Sequence, residues 1–438
     1  MVRLCSILAA VVLLQAQTSP LTEDVLLLSR IRRNALESLT SIPSYTCLET
    51  IERERRASAR KPYRPLDVVQ MEVAEIGKRE LFAWPGQANF EDKNGQLLGL
   101  SSNGEFYAHL QTLMGGSAAI RSAGTADCEG RPCVRYDFRL GAAFANWTLA
   151  NNGRTARVAE SGSFWADAES AALYRLVVNA EDIPVDVGIR SADLDIRYGA
   201  TSLNGSHAPS NGYSFSSNHL FQLPESFSIR LVLNSGEESQ NTVSFTHCRE
   251  YGAESKVVAE ASADVNPAAP VEEVTLPAHL AVEIRLLTPV RSSANHVGDR
   301  IDAVVDRDVR NRGQLFLPRG AQVIGRVRRM EHYTEPYDYW IAALEFTDVF
   351  FTHGGTEAHA RFTGDLQFYD TVPGLKQELA SEKTEGVDFG NDGSIQKTRR
   401  VRLLARQLPG VGTFLLQGPS LTLAKGFHMT WITTALER

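Results

Sequence analysis

Recognisable catalytic signatures are what this sequence most lacks. It holds no Gly-x-Ser-x-Gly elbow, no glycine-rich phosphate loop, no His-Glu-x-x-His and no Cys-x-x-Cys. Nucleophile elbows, phosphate cradles, zinc-peptidase helices and dithiol redox pairs are therefore without their usual residues, and no catalytic residue, metal-ligand set or cofactor is expected. Basic charge is short as well: 45 Lys and Arg stand against 52 Asp and Glu, a net charge of -7, which leaves no field for bulk nucleic-acid binding. Long apolar runs are absent beyond Leu4–Leu14, roughly half of the ~20 residues that a membrane helix needs. No repeat of solenoid or propeller period is present either.

What is there begins with that apolar run. Met1, Val2 and Arg3 precede it, and Gln15, Ala16, Gln17 and a Thr-Ser-Pro break follow it. This is the layout of a short secretory signal, cut near Ala16. Residues 1–17 are expected to be removed, leaving an exported chain, periplasmic or associated with the outer envelope, with no transmembrane segment. Cys5, beside Arg3 and Leu4, lies too early to be a lipid-modified cysteine. Without it four cysteines remain, and an even count in an oxidising compartment points to disulfides, with three pairings formally open. Glu129, Gly130, Arg131 and Pro132 form a turn-like insert between Cys128 and Cys133, so these two are expected to pair and to leave Cys47 for Cys248. Four buried free thiols are the alternative.

A composition 43% hydrophobic and 22% charged over 438 residues supplies enough apolar surface for two packed cores. Residues 22–39 read as an amphipathic helix, with Thr22 as cap, Glu23 and Asp24 at the positive end, and Val25, Leu28, Ile31, Ala35 and Leu39 near helical spacing. After Pro43 the period changes to alternation, as in Val69-x-Met71-x-Val73, Val134-x-Tyr136-x-Phe138 and Phe227-x-Ile229, each bounded by turn residues. The predicted fold is mainly β with an N-terminal helix (α+β): an incomplete antiparallel β-barrel over residues 18–255, a linker at 256–275 marked by Asn266, Pro267 and Pro270, and a second small β-barrel domain at 276–438. Alternation there returns in Val282, Ile284 and Leu286 and in Ile301, Ala303 and Val305. Residues 370–397, polar and broken by Gly374, Gly386, Gly390 and Gly393, are expected to form a long mobile loop.

Two segments resemble known families. Gly162-Ser-Phe-Trp-Ala-Asp167, followed by Leu173, Arg175 and Leu176, is similar to the strand-turn-strand of LolA-type periplasmic lipoprotein-sorting carriers. There a Pro-x-Thr-Gly turn leads into a Leu-x-Arg-Leu strand; here Ala168, Ser170 and Ala171 stand at the turn. The order of a helix, then antiparallel strands, then Leu223 and Pro224 opening a late strand is similar too. The resemblance implies a half-barrel wrapped round a helix, with an apolar cavity for acyl chains. Leu276-Pro277, Gly298, and Leu317-Pro318-Arg319-Gly320 with Gly325 resemble the β-barrel of outer-layer channel components of type IV and conjugative secretion systems. That family's membrane-crossing helices have no counterpart in the polar 370–397 stretch, so the resemblance implies fold and not a channel.

Aromatic residues are the best candidates for a binding site. Phe82 and Trp84, Phe106 and Tyr107, and Phe164 and Trp165 all fall in the first half, where a half-open barrel would turn them into a pocket; a closed core is the competing expectation. Other features have simpler readings. His247 beside Cys248 cannot share a strand face with it. Asp388, Asn391, Asp392 and Gly393 lack the closing acid of a calcium loop. Asp193 and Asp195 share one strand face, the ordinary place for solvated acids. The run Arg53, Arg55, Arg56, Arg60, Lys61 and Arg64 reads as a hydrated hairpin tip, or as a contact for anionic lipid or wall polymer. Taken together, the sequence points to a non-enzymatic envelope protein that binds a lipid or acylated protein. A structural or assembly protein with an envelope-protein partner and no small ligand is the alternative.

Overall fold

The computed structural model describes residues 23–87, 90–91, 108–151, 153–203, 220–251, 271–334, 338–370, 388–389, 395–396 and 410–435. The expected leader, Phe106, Tyr107, residues 256–270 of the expected linker, and Asn391, Asp392 and Gly393 lie outside them.

Helix α1 (Glu23–Ser41) opens the described chain with Glu23 and Asp24 in its first turn, where carboxylates meet the positive end of the helix dipole. It stops just before Ile42, whose helical conformation Pro43 disfavours. Ile31 and Ala35 are buried, but Val25 is exposed together with Leu26. A polar contact holds the first turn instead: the Tyr136 hydroxyl donates to the Asp24 carbonyl at 2.9 Å.

The strands of the first half are β1 (Tyr45–Arg56), β2 (Arg64–Ile76), β3 (Arg79–Ala83), β4 (Ala119–Cys128), β5 (Arg131–Leu140), β6 (Thr148–Asn151), β7 (Arg154–Arg157), β8 (Ala159–Asp167), β9 (Leu173–Glu181), β10 (Ile189–Ser202), β11 (Leu220–Leu233) and β12 (Glu238–Glu250), with a short helix α2 (Ala108–Met114) between β3 and β4. The β6–β7 hairpin stands apart. The other ten strands form one antiparallel sheet in the order β3-β2-β1-β12-β11-β10-β9-β8-β5-β4. Strands β3 and β4 at its ends do not pair with each other, so the barrel is incomplete. Alternation decides what is buried: Val69, Met71 and Val73 on β2, Tyr136 and Phe138 on β5, and Phe227 and Ile229 on β11 all face the core. The disulfide Cys47–Cys248 joins neighbouring strands β1 and β12 across a separation of 201 residues. Cys128–Cys133 closes the β4–β5 hairpin.

The second half holds β13 (Glu272–Val274), β14 (Ala281–Leu286), β15 (Val290–Arg291), β16 (Arg300–Val305), β17 (Val309–Asn311), β18 (Gln314–Leu317), β19 (Gln322–Tyr333), β20 (Tyr339–His353), β21 (Thr356–Arg361), β22 (Gly364–Tyr369), β23 (Asp388–Phe389), β24 (Ile395–Gln396), β25 (Val411–Gln417), β26 (Thr422–Leu423) and β27 (His428–Thr433). Its main sheet runs β13-β21-β20-β19-β16-β14-β27-β22 and is also open. Long β20 serves two partners: Tyr339–Glu345 pairs with β25 and Asp348–His353 with β21. At Gly325 β19 passes close against β20, and a Cβ there would stand 2.2 Å from the Glu345 carbonyl oxygen. Within the span expected as linker, Glu272–Val274 is strand, lying parallel to β21.

Histidines fasten this parallel strand. His359 contacts Glu273 through Nδ1 at 3.0 Å and Asp348 through Nε2 at 2.8 Å, with Phe350 stacked on its ring, and His353 meets Glu272 at 3.1 Å. Burial pulls the His359 pKa down, but the hydrogen bonds to Glu273 and Asp348 outweigh it and hold the imidazole above its ordinary range. A raised histidine pKa contributes stability that is fully present below the ordinary value of about 6.5 and is lost as pH rises through the folded value. Amide exchange at residues 272–274, corrected for its intrinsic pH dependence, is therefore expected to accelerate on going from pH 6 to pH 9. His359→Gln is expected to weaken that pH dependence, with the His353–Glu272 contact left in place.

The two sheets meet along β1, β2 and β19. Main chain joins them directly: Gln70 N–H donates to the Val297 carbonyl at 2.8 Å and Val297 N–H to the Val68 carbonyl at 2.9 Å. Gly298 follows at φ +103°, and a Cβ there would lie 2.4 Å from the Gln70 carbonyl oxygen. Beside this stitch is a buried charge quartet. Arg53 is bidentate to Asp67, Nε to Oδ1 at 2.6 Å and Nη2 to Oδ2 at 2.5 Å. Across the junction, Arg329 is bidentate to Glu331 at 3.1 and 2.6 Å, Tyr333 donates to Glu331 at 2.7 Å, and Arg53 lies 3.8 Å from Glu331. Burial alone would raise the Glu331 carboxyl, but Arg329, Arg53 and the Tyr333 hydroxyl together hold it below its ordinary value.

Candidate functional site

The β8–β9 turn is built on one side chain. The Asp167 carboxylate accepts from the Ser170 and Glu169 amides at 2.7 and 3.0 Å and from the Ser170 hydroxyl at 2.8 Å. These bonds, the Ser170 amide foremost, hold its pKa below the ordinary range. Ala171 then takes φ +58°, the left-handed conformation that costs a residue with a Cβ about 1–2 kcal/mol. It occupies the position at which the sequence resemblance expected glycine, and takes that conformation with a Cβ. Helix α1 sits against this turn: Arg30 donates to the Glu169 carbonyl and Asn34 to that of Ser170.

Between α1, α2, this turn and the start of β11 lies a cleft of about 470 Å³, within the ~300–1,000 Å³ usual for small-ligand sites. Ala35, Leu110, Ala171, Leu173, Leu220 and Phe221 give it apolar walls, and Asn34, Ser38 and Gln222 a polar margin. Leu220 is 59% exposed.

The aromatics singled out in the sequence do not line this cleft. Phe82 and Phe164 are buried in the core, and Phe164 stacks on Tyr136 at 5.2 Å. Trp84 is buried at the junction beneath Arg326 and Arg328, at 5.8 and 5.0 Å. Burial brings Arg326 down to about 10, still protonated at neutral pH. Trp165 lies between Arg135 and Arg175, at 5.5 and 5.0 Å from its ring. Phe106 is outside the described residues. The structure thus gathers none of these into one wall. Leu110, Leu220 and Phe221, which do form walls, carried no signal beyond their apolarity, since α2 has only seven residues and Leu220 begins its strand.

Other candidates resolve into structure. Asp193 and Asp195 each pair with an arginine of a neighbouring strand, Arg230 and Arg175, at 2.7 and 2.5 Å. Arg53, read as part of a hydrated tip, is buried in the quartet; a strand segment alternating Glu and Arg does not reveal which arginine turns inward. His109, buried 3.9 Å from Glu160 and edge-on to Trp147, went unnoticed in the sequence. Among the described residues no group of three or more His, Cys, Asp or Glu is placed to hold a metal ion, and no helix is long and apolar enough to cross a membrane.

No family model matches the chain, and no curated protein matches it. Similar solved structures include a LolA-superfamily protein of Nitrosomonas europaea, at 10% identity over 53% of this chain and 94% of that one, with a TM-score of 0.24. A lipoprotein-sorting protein domain of Vibrio parahaemolyticus covers 52% and 94% at 6% identity and TM-score 0.26. Lipoprotein LppX of Mycobacterium tuberculosis covers 52% and 98% at 11% identity and TM-score 0.18. These scores are too low for any role to pass from those proteins to this one. The secretion-channel resemblance of residues 276–438 gains no support from them.

Proposed function

We propose that this chain is a non-enzymatic, exported binding protein that takes up the acyl chain of a lipid or acylated protein in the cleft between α1 and the open sheet. The observation that carries the reading is the cleft itself: apolar walls, a polar margin and an exposed Leu220 at its edge. Burying acyl chain there would contribute about 0.8 kcal/mol per methylene before ordering costs. The paired cysteines fit an oxidising periplasm.

Native mass spectrometry with lipid extraction, on the whole chain purified from an oxidising compartment, tests this. An acylated species is expected to accompany the wild type and to be lost from Leu220→Asp, while Val185→Asp, 83% exposed and absent from the cleft lining, retains it. A clean mass with no lipid uptake would favour the second reading, an envelope assembly protein without a small ligand. The solid packing of Phe82, Trp84 and Phe164 supports that alternative.

A further inference from the structure

At the far end of the junction, the β1–β2 hairpin and the end of β19 enclose a pocket of about 130 Å³ lined by Arg55, Arg56, Lys61, Arg64, His332 and Tyr333, among others. Its charge is unusual in its arrangement. Arg55 and Arg64 are direct cross-strand partners, and like charges in that relation repel. Among the described residues neither has a carboxylate partner. The Arg55 guanidinium lies over the Tyr333 ring at 4.8 Å. Arg56 is bound to Glu238 at 2.7 Å, yet its Nε is buried without a hydrogen-bond partner. Two carboxylates near the described lining are already engaged, Glu238 by Arg56 and Tyr63, and Asp338 by His332 at 2.5 Å. Among the described residues lining this recess, which both sheets contribute to, none is a carboxylate.

We infer that this pocket binds a phosphate group, held between Arg55 and Arg64. A tetrahedral oxyanion relieves the repulsion between the two arginines and presents several oxygens to guanidinium edges, the geometry at which Arg excels. The small volume admits one such group, either free phosphate or the phosphate of a lipid headgroup lying on the hairpin. The site is separate from the acyl cleft and stands or falls without it.

The test uses the whole chain, exchanged into phosphate-free chloride buffer of low ionic strength. Inorganic phosphate is titrated calorimetrically, and sedimentation with phosphatidylglycerol vesicles is compared with phosphatidylcholine vesicles. Wild type is expected to bind phosphate, and Arg55→Gln/Arg64→Gln to bind it about tenfold more weakly or worse, as loss of charge-assisted hydrogen bonds implies. Phosphate is expected to raise the melting temperature of the wild type and not of the double variant. In chloride alone, Arg64→Gln is expected to melt no lower than wild type, because its removal ends the repulsion. Arginine-dependent binding to phosphatidylglycerol vesicles without phosphate uptake would assign the group to a headgroup. Wild type that takes up neither, or variants that bind as well as it does, would overturn the proposal.

Discussion

Arg53→Ala is expected to cost about 3–5 kcal/mol of stability, because it strips the buried Asp67 carboxylate of its bidentate partner and leaves it only the more distant charge of Arg329. The effect should exceed that of any surface arginine. Arg53 is 5% exposed and supplies both hydrogen bonds of a bidentate pair, whereas Arg230, in contact with Asp193 near water, should contribute less than about 1 kcal/mol. The companion experiment separates the pair's worth from the penalty of breaking it. Arg53→Met/Asp67→Leu removes both charges together and is expected to be close to neutral, since well-packed apolar replacements of buried ion pairs commonly are. Urea denaturation measures both. A loss for Arg53→Ala no larger than that for Arg230→Ala would show that water reaches Asp67 and that the quartet is not sealed.

The second large effect concerns the disulfides. Cys47→Ala/Cys248→Ala is expected to cost about 5 kcal/mol, the chain entropy returned to an unfolded state when a loop of 201 residues is opened. Cys128→Ala/Cys133→Ala opens a loop of only 5 residues and should cost about 2 kcal/mol by the same relation. Denaturation under oxidising conditions distinguishes them. Equal losses would mean that packing around the sulfurs, rather than loop entropy, sets their value.

Much of the secondary structure was legible because alternation and helical period act locally. Val282, Ile284 and Leu286 could be assigned to one buried face from spacing alone, and α1 from its acidic first turn and the recurrence of Ile31 and Ala35. What alternation does not encode is the identity of the surface opposite. Trp84 reads as an aromatic facing inward, yet the groups above it are Arg326 and Arg328, far away in sequence. Arg53 sits in a run of charges whose solvated members look the same on paper. The cleft beside α1 does not have the aromatic lining that the sequence suggested. Its walls come from a short helix, a turn and a strand start, none of them long enough to show a period.

The stitch at Gln70 and Gly298 and the charges beside it give the molecule a readable signature. A related chain carrying the first sheet without the second would leave Arg53, Asp67 and Trp84 facing water, where a bidentate buried pair and a large ring have nothing to gain. A chain with both sheets but an alanine in place of Gly298 could not bring the backbones within hydrogen-bonding distance. These four positions together therefore report, from sequence alone, whether a relative has its halves docked in this manner or carries only one of them.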